Sequence, residues 1–214
     1  MTQRIAIVAA NGKSGRLIAK EAVGRGLDVT AVVRGENGTV AQHTLAKDLF
    51  DLTAADLAGF DVVVDAFGAW TPDTLPLHSA SLKHLADILS GTGTRLIVVG
   101  GAGSLYVDPE HTTQLYDTDG FPEEYKPLAK AQGKALAELR ERGDVRWTFV
   151  SPAADFQADG PRTGAYVLGG EEFGVNETTG ESAVSYADYA IAIVDEAVAA
   201  PADAHVGERI SVRW

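Results

Sequence analysis

The sequence predicts an α/β fold: one domain built on a doubly wound, mainly parallel sheet with helices on both faces. Three observations predict it. Short apolar runs rich in Val and Ile recur along the chain, stretches of helical periodicity separate them, and the first run passes straight into a glycine turn and a helix. A length of 214 residues with 45% hydrophobic content is enough for one substantial core, and no repeat or linker divides it.

The elements follow in order. Arg4 to Ala9 is an apolar strand, stopped by Asn11-Gly12; Leu17, Ile18, Ala22 and Val23 then fall at helical spacing. Gly24 and Gly26 end that helix, and Asp28 to Val33 is the second strand. A weaker strand is expected near 43–47. Runs at Asp61 to Ala66, Arg95 to Gly100 and Val145 to Val150 supply three more, with helices at about 74–90 and 123–142 between them. Beyond Ser151 the glycines at 160, 164, 169 and 170 break the pattern, so 152–207 is expected to build a small cap on the substrate side. Tyr186 to Ala199 reads as an amphipathic helix, and Glu208 to Trp214 alternates like a further strand.

Composition narrows the chemistry. With no cysteine there is no disulfide, thiolate nucleophile or cysteine-held metal, and any redox chemistry belongs to a bound cofactor. The histidines at 43, 78, 84, 111 and 205 show no metal-ligand spacing, so no metal is expected. Eighteen basic against thirty acidic side chains give a formal charge of −12, which repels nucleic acid and anionic lipid. The start MTQRIAIVAANG reaches glycine and charge too soon for a signal peptide, and no run approaches the ~20 apolar residues of a membrane helix; a cytoplasmic protein is expected.

In Ala9-Ala10-Asn11-Gly12-Lys13-Ser14-Gly15 the glycines stand between first strand and first helix, where a backbone must approach a pyrophosphate and a helix must pack close on a strand. The helix N-terminus offers free amides and the positive end of its dipole to the phosphates. Gly12-Lys13-Ser14 also looks like the end of a P-loop, but the first glycine of that motif would fall on Ile7, inside the strand.

The turn resembles that of the atypical short-chain dehydrogenase/reductase group of NAD(P)-binding proteins, which includes NADH-flavin reductase-like and NmrA-like members. Their pattern is Gly-x-x-Gly-x-x-Gly; here Ala9 takes the first position, Gly12 the second and Gly15 the third. Alanine keeps the approach open provided that its φ need not be positive. The resemblance implies a Rossmann fold and a dinucleotide held by Ala9, Asn11, Gly12, Lys13, Ser14 and Gly15. It further implies that Asp48 and Leu49 lie beside the adenine, that Phe67, Gly68 and Ala69 run beside the nicotinamide ribose, and that Gly100, Gly101, Ser151, Pro152 and Ala153 line the nicotinamide end.

The second strand ends in Val32-Val33-Arg34 rather than in an acid. A carboxylate there would accept from both ribose hydroxyls, whereas a guanidinium suits a 2′-phosphate, so NADP(H) is favoured over NAD(H). Lys13 or Arg16 is placed to assist.

Classical relatives use a Ser and a Tyr-x-x-x-Lys pair. In Val98-Val99-Gly100-Gly101-Ala102-Gly103-Ser104 a glycine takes the serine position, and Ser104 substitutes only after a shift. Tyr125 and Lys130 are five apart instead of four, which turns them onto different faces of a helix; if Lys130 keeps the lysine position, Lys126 holds the tyrosine position. Ser104, Tyr125 and Lys130 are therefore the candidate catalytic residues, without the standard relay.

An acceptor needing little proton assistance fits that loss, and a flavin (FMN or FAD) is one. Trp70, Tyr106 and Phe156 are expected to form an aromatic wall against its ring. The expected activity is reduction of a flavin, quinone or similar planar small molecule by NADPH. A non-catalytic NADP(H) sensor of the NmrA-like type, and an epimerase of nucleotide sugars, are the alternatives. A homodimer or a protein partner is left open; nucleic acid and membrane partners are not expected.

Overall fold

The computed structural model describes residues 2–200 and 204–214. β1 (Arg4–Val8) runs into α1 (Lys13–Gly24), and the chain returns through β2 (Asp28–Val33). β3 (His43–Ala46) and a 3-10 turn at Leu49–Asp51 lead to β4 (Val62–Asp65). There follow α2 (Leu77–Leu89), β5 (Arg95–Val99), α3 (Lys126–Arg140) and β6 (Arg146–Pro152), then the short β7 (Asp155–Gln157), β8 (Val167–Gly169) and β9 (Ala183–Ser185), and finally α4 (Tyr186–Ala197) and β10 (Glu208–Arg213).

The main sheet has the order β3-β2-β1-β4-β5-β6-β10-β8, parallel except for β8, which pairs antiparallel with β10 at the edge. β1 lies between β2 and β4, so strand order reverses there, and this is where an open parallel sheet leaves a crevice at its carboxyl edge. Successive side chains of a strand face opposite sides. Ile5 and Ile7 therefore join the core under α1 and α4, while Ala6 and Val8 join the core under α2 and α3. Val62 and Val64 go with the first pair and Val63 with the second. Strands buried on both faces read as unbroken apolar runs, the signal the sequence carried.

Helix ends differ from expectation for identifiable reasons. Pro127 fits the first turn of α3, where its missing N–H costs nothing, and Glu123–Tyr125 tighten into a 3-10 turn before it. Residues 71–75 form turns ahead of α2, with Pro76 as its N-cap. The pieces β7, β8 and β9 are three residues each, too short for a period of two to show, and were not predicted. Within 152–207, Pro152–Phe156 and Tyr186 border the cleft described below, whereas α4 packs on α1 as a layer helix. Buried Arg95 pairs with Glu196 and donates to Thr148 Oγ1 at 2.6 Å, tying α4 to the amino edge of the sheet. Among the described residues, no helix is long and apolar enough to cross a membrane.

Candidate nucleotide cleft

A cleft of about 1700 Å³ opens along the carboxyl edge of β2, β1, β4, β5 and β6. Its floor is the β1–α1 turn. The amide of Gly12 donates to the Ala9 carbonyl at 3.0 Å, and the amide of Arg16 to the Gly12 carbonyl at 3.0 Å. Gly12 is the N-cap of α1 and no side chain caps it, so the first-turn amides of Lys13, Ser14 and Gly15 are left for an anion. Ala9, Asn11, Gly12, Lys13 and Ser14 line the cleft. Gly15 does not: it is buried, and a Cβ there would meet the Cα and carbonyl oxygen of Ala10 at 2.8 Å, so glycine is what lets α1 seat on β1.

Ala9 corrects one expectation. Its φ is 56°, the left-handed region that costs an L-residue roughly 1–2 kcal/mol, and alanine is held there at the position where the pattern has glycine. The turn is fixed from outside by Asn11, whose Nδ2 donates to the Glu36 carbonyl and whose Oδ1 accepts from the Gly38 amide, both at 2.8 Å. Arg16 is engaged by the same residue, donating from Nε to the Asn11 carbonyl at 2.8 Å.

Arg34 and Lys13 both line the cleft and are exposed, and neither has a hydrogen bond or ion pair among the described residues. Arg34, just past β2, and Lys13, at the start of α1, thus border the cleft as unpaired cations. Asp48 and Leu49 also line the cleft; Asp48 Oδ1 accepts from the Phe50 amide at 3.0 Å and caps the 3-10 turn, so one of its oxygens is already engaged.

At the end of β4, Phe67, Gly68 and Trp70 line the cleft, and Trp70 is 71% exposed. Ala69 is buried instead and does not line the cleft, its carbonyl receiving His78 Nε2 at 3.0 Å. Behind them lies a chamber of about 20 Å³, lined by Asp65, His78, Ser81 and Gln132 among others. Asp65 is buried, accepts only from the Phe67 amide at 3.0 Å, and burial pushes its carboxyl up to about 6. Burial lowers the His78 imidazole in the same chamber, although its bond to Ala69 acts the other way.

At the end of β5, Gly100 and Gly101 line the cleft. A Cβ on Gly100 would overlap the Phe149 ring, one on Gly101 the Gln132 carboxamide, and one on Gly103 the Ala129 methyl group. Gly101 and Gly103 let α3 lean on the loop, and Gly100 makes room for the Phe149 ring of β6. Three expectations fail here. Ser104 is 2% exposed, and its Oγ accepts from Arg209 Nη1 at 2.9 Å; it packs behind the loop and does not line the cleft. Lys130 points at the Tyr116 ring, 5.8 Å from its centroid, and is likewise outside the lining. Tyr106 stacks on His111 at 4.6 Å, beside Arg209, so it is no part of the aromatic wall.

Tyr125 does line the cleft, with Leu128, Ala129 and Gln132 one and two helical turns further on. Lys126, in the position expected for the family tyrosine, pairs with Glu123. At β6, Pro152 and Ala153 line the cleft, while Ser151 is wholly buried in the sheet. Phe156 stacks on Tyr186 with centroids 3.8 Å apart, so the wall is Trp70, Phe121, Tyr125, Phe156 and Tyr186. Gln132, Phe121 and Tyr186 were missed by the sequence reading; the spacing of Gln132 from Tyr125, two turns along one face, was the available signal.

The chain matches the NAD(P)H-binding family over residues 9–198. It is 49% identical over 196 residues to the uncharacterised YwnB of Bacillus subtilis, covering 90% of this chain and 91% of that one. Among solved structures it resembles SP1627 of Streptococcus pneumoniae, named a "putative NADH-flavin reductase", at 55% identity and TM-score 0.94 over 99% of both chains. It also resembles a Burkholderia pseudomallei protein, named a "putative exported protein", at 38% identity and TM-score 0.86 over 100% of both chains. With the glycine turn, the sheet order and these matches together, the chain belongs to the NAD(P)H-binding family of Rossmann-fold proteins, in the atypical short-chain dehydrogenase/reductase group.

Proposed function

We propose that the protein is an NADP(H)-dependent reductase of a flavin, quinone or similar planar acceptor, working by direct hydride transfer. The observation that carries this reading is the continuity of the cleft from the glycine turn to the aromatic wall. Its volume, about 1700 Å³, exceeds the roughly 300–1,000 Å³ of an ordinary ligand pocket, which leaves room for a dinucleotide and an acceptor together.

When bound, NADPH supplies the hydride. The chain's own residues do the rest: the amides at the start of α1 hold the linked phosphates, and Arg34 with Lys13 neutralises a 2′-phosphate. Trp70, Phe156 and Tyr186 offer flat apolar faces to a planar ring and exclude water from it. With Ser104 and Lys130 outside the cleft lining, the candidate Ser, Tyr and Lys do not come together there, which suits an acceptor that collects its proton from solvent. The Streptococcus relative's name supports the acceptor class; it specifies NADH, and the preference for NADP(H) rests on Arg34 in this chain. A chain without cysteine suits work in the reducing cytoplasm.

The test is NADPH consumption with FMN, FAD and a simple quinone, run beside a binding titration. Turnover with one of them is expected. Lys126 in the tyrosine position favours a second reading, a nucleotide sensor, and tight NADPH binding without turnover of any acceptor would establish that reading instead.

A further inference from the structure

Gln132 is a polar side chain in an apolar setting. The N-cap Tyr125 and, on α3, Leu128, Ala129 and Gln132 line the cleft along one side of the helix, and the two lysines nearby are engaged elsewhere, by Glu123 and the Tyr116 ring. The Gln132 carboxamide fills the space that a side chain on Gly101 would take, at the end of β5. It is half-buried, and neither its oxygen nor its nitrogen has a hydrogen-bond partner among the described residues. Both atoms keep contact with solvent in the cleft, where a bound molecule would take the place of water as their partner.

We propose that Gln132 is a catalytic residue: its N–H hydrogen-bonds the oxygen of the planar acceptor on which negative charge develops as the hydride arrives. This rests on the reductase reading above. NADPH gives two electrons and one hydrogen nucleus to the acceptor and leaves as NADP⁺; the acceptor gains a C–H or N–H bond and a negative charge, then takes one proton from solvent. Gln132 transfers no proton. It donates a hydrogen bond that strengthens as the charge grows, in a site where water is largely displaced. A half-turn of the carboxamide exchanges oxygen and nitrogen, so the donor can face the cleft without moving the helix. Gly101 is the enabling position, since any side chain there would expel the amide.

The test uses the full chain with NADPH and whichever of FMN, FAD or menadione the wild type reduces. Gln132→Met keeps the size and removes the donor; Gln132→Glu keeps the shape and presents a carboxylate. Both are expected to lower kcat/KM for the acceptor about 100-fold while leaving the NADPH dissociation constant unchanged. For Gln132→Met the loss should be the same across the pH profile, because neither side chain titrates, whereas for Gln132→Glu it should shrink in acid as the carboxylate takes a proton and becomes a donor. Gly101→Ala, which displaces the amide, should give a similar loss. Independently of turnover, the Gln132 side-chain NH₂ signals in a ¹⁵N spectrum, assigned by their disappearance in Gln132→Met, should shift when the acceptor is added with NADP⁺ present. Variants within about twofold of wild type, or side-chain signals that stay in place, overturn the inference and leave the reductase reading standing. A wild type that reduces no acceptor overturns the reductase reading itself, before any variant is made.

Discussion

Replacing Asp65 by Asn should stabilise the protein at neutral and alkaline pH and do nothing for it in acid. The carboxyl sits at the end of β4 with one hydrogen bond, from the Phe67 amide, and burial lifts it from 3.8 to about 6. The sign follows from linkage. A carboxyl whose folded value lies above its unfolded value is held protonated more firmly by the native state. Its contribution to stability is fully present below 3.8 and is lost as pH rises through about 6. The span is roughly two pH units, or about 3 kcal/mol at about 1.4 kcal/mol per unit. Asparagine has the same shape, keeps the acceptor for Phe67, and never ionises. Its extra N–H group faces the 20 Å³ chamber, which has space for one water beside Ser81 and His78. Urea unfolding of both proteins is the assay, and in the difference between them every other titrating group cancels. Near pH 8 the variant should be more stable by up to about 3 kcal/mol, and near pH 4 the advantage should be almost gone. A difference that does not change with pH would refute the reasoning.

Three further substitutions probe the cleft. Arg34→Ala should weaken NADPH by more than about tenfold while barely affecting NADH, because the unpaired guanidinium proposed to meet the 2′-phosphate is removed; equal loss for both nucleotides in a titration would contradict the proposed contact. Gly15→Ala drives a methyl group against the Ala10 backbone and should cost about 1–3 kcal/mol, read as a lower melting temperature together with weaker nucleotide binding; wild-type values for both would contradict the packing. Ala9→Gly should raise stability by up to about 1 kcal/mol, since the left-handed backbone at 56° no longer carries a Cβ; a fall in melting temperature would show that the strain is not there.

The parts legible in the sequence share a physical property: their signal is local and repeated. β1, β4 and β5 are buried on both faces and so stand out as Val- and Ile-rich runs, and Gly12 and Gly15 stand out by their spacing where strand passes into helix, Gly15 because a Cβ there would meet the Ala10 backbone. What was illegible depends on contacts far apart in the chain. Ser104 reads in the sequence as a shifted substitute for the family serine, but Arg209 on β10 reaches it, and nothing near residue 104 announces that. Tyr106 looked like a wall residue until His111 and Arg209 enclosed it. Gln132 shares a helical side with Tyr125, but that spacing does not say which side meets the cleft; contact with Gly101, on another element, is what places it there. Ala9 is the reverse case. Its departure from the glycine pattern was visible, while the positive φ that makes the departure matter was not.

The central claim is that the amides opening α1 hold the linked phosphates of a pyridine nucleotide. A ¹H–¹⁵N spectrum recorded through a titration with NADPH tests it most directly. The backbone signals of residues 12–15 should move together and saturate at one equivalent. If they hold their positions while nucleotide binds elsewhere, or if no signal in the spectrum responds to NADPH or NADH, the assignment of this cleft is contradicted.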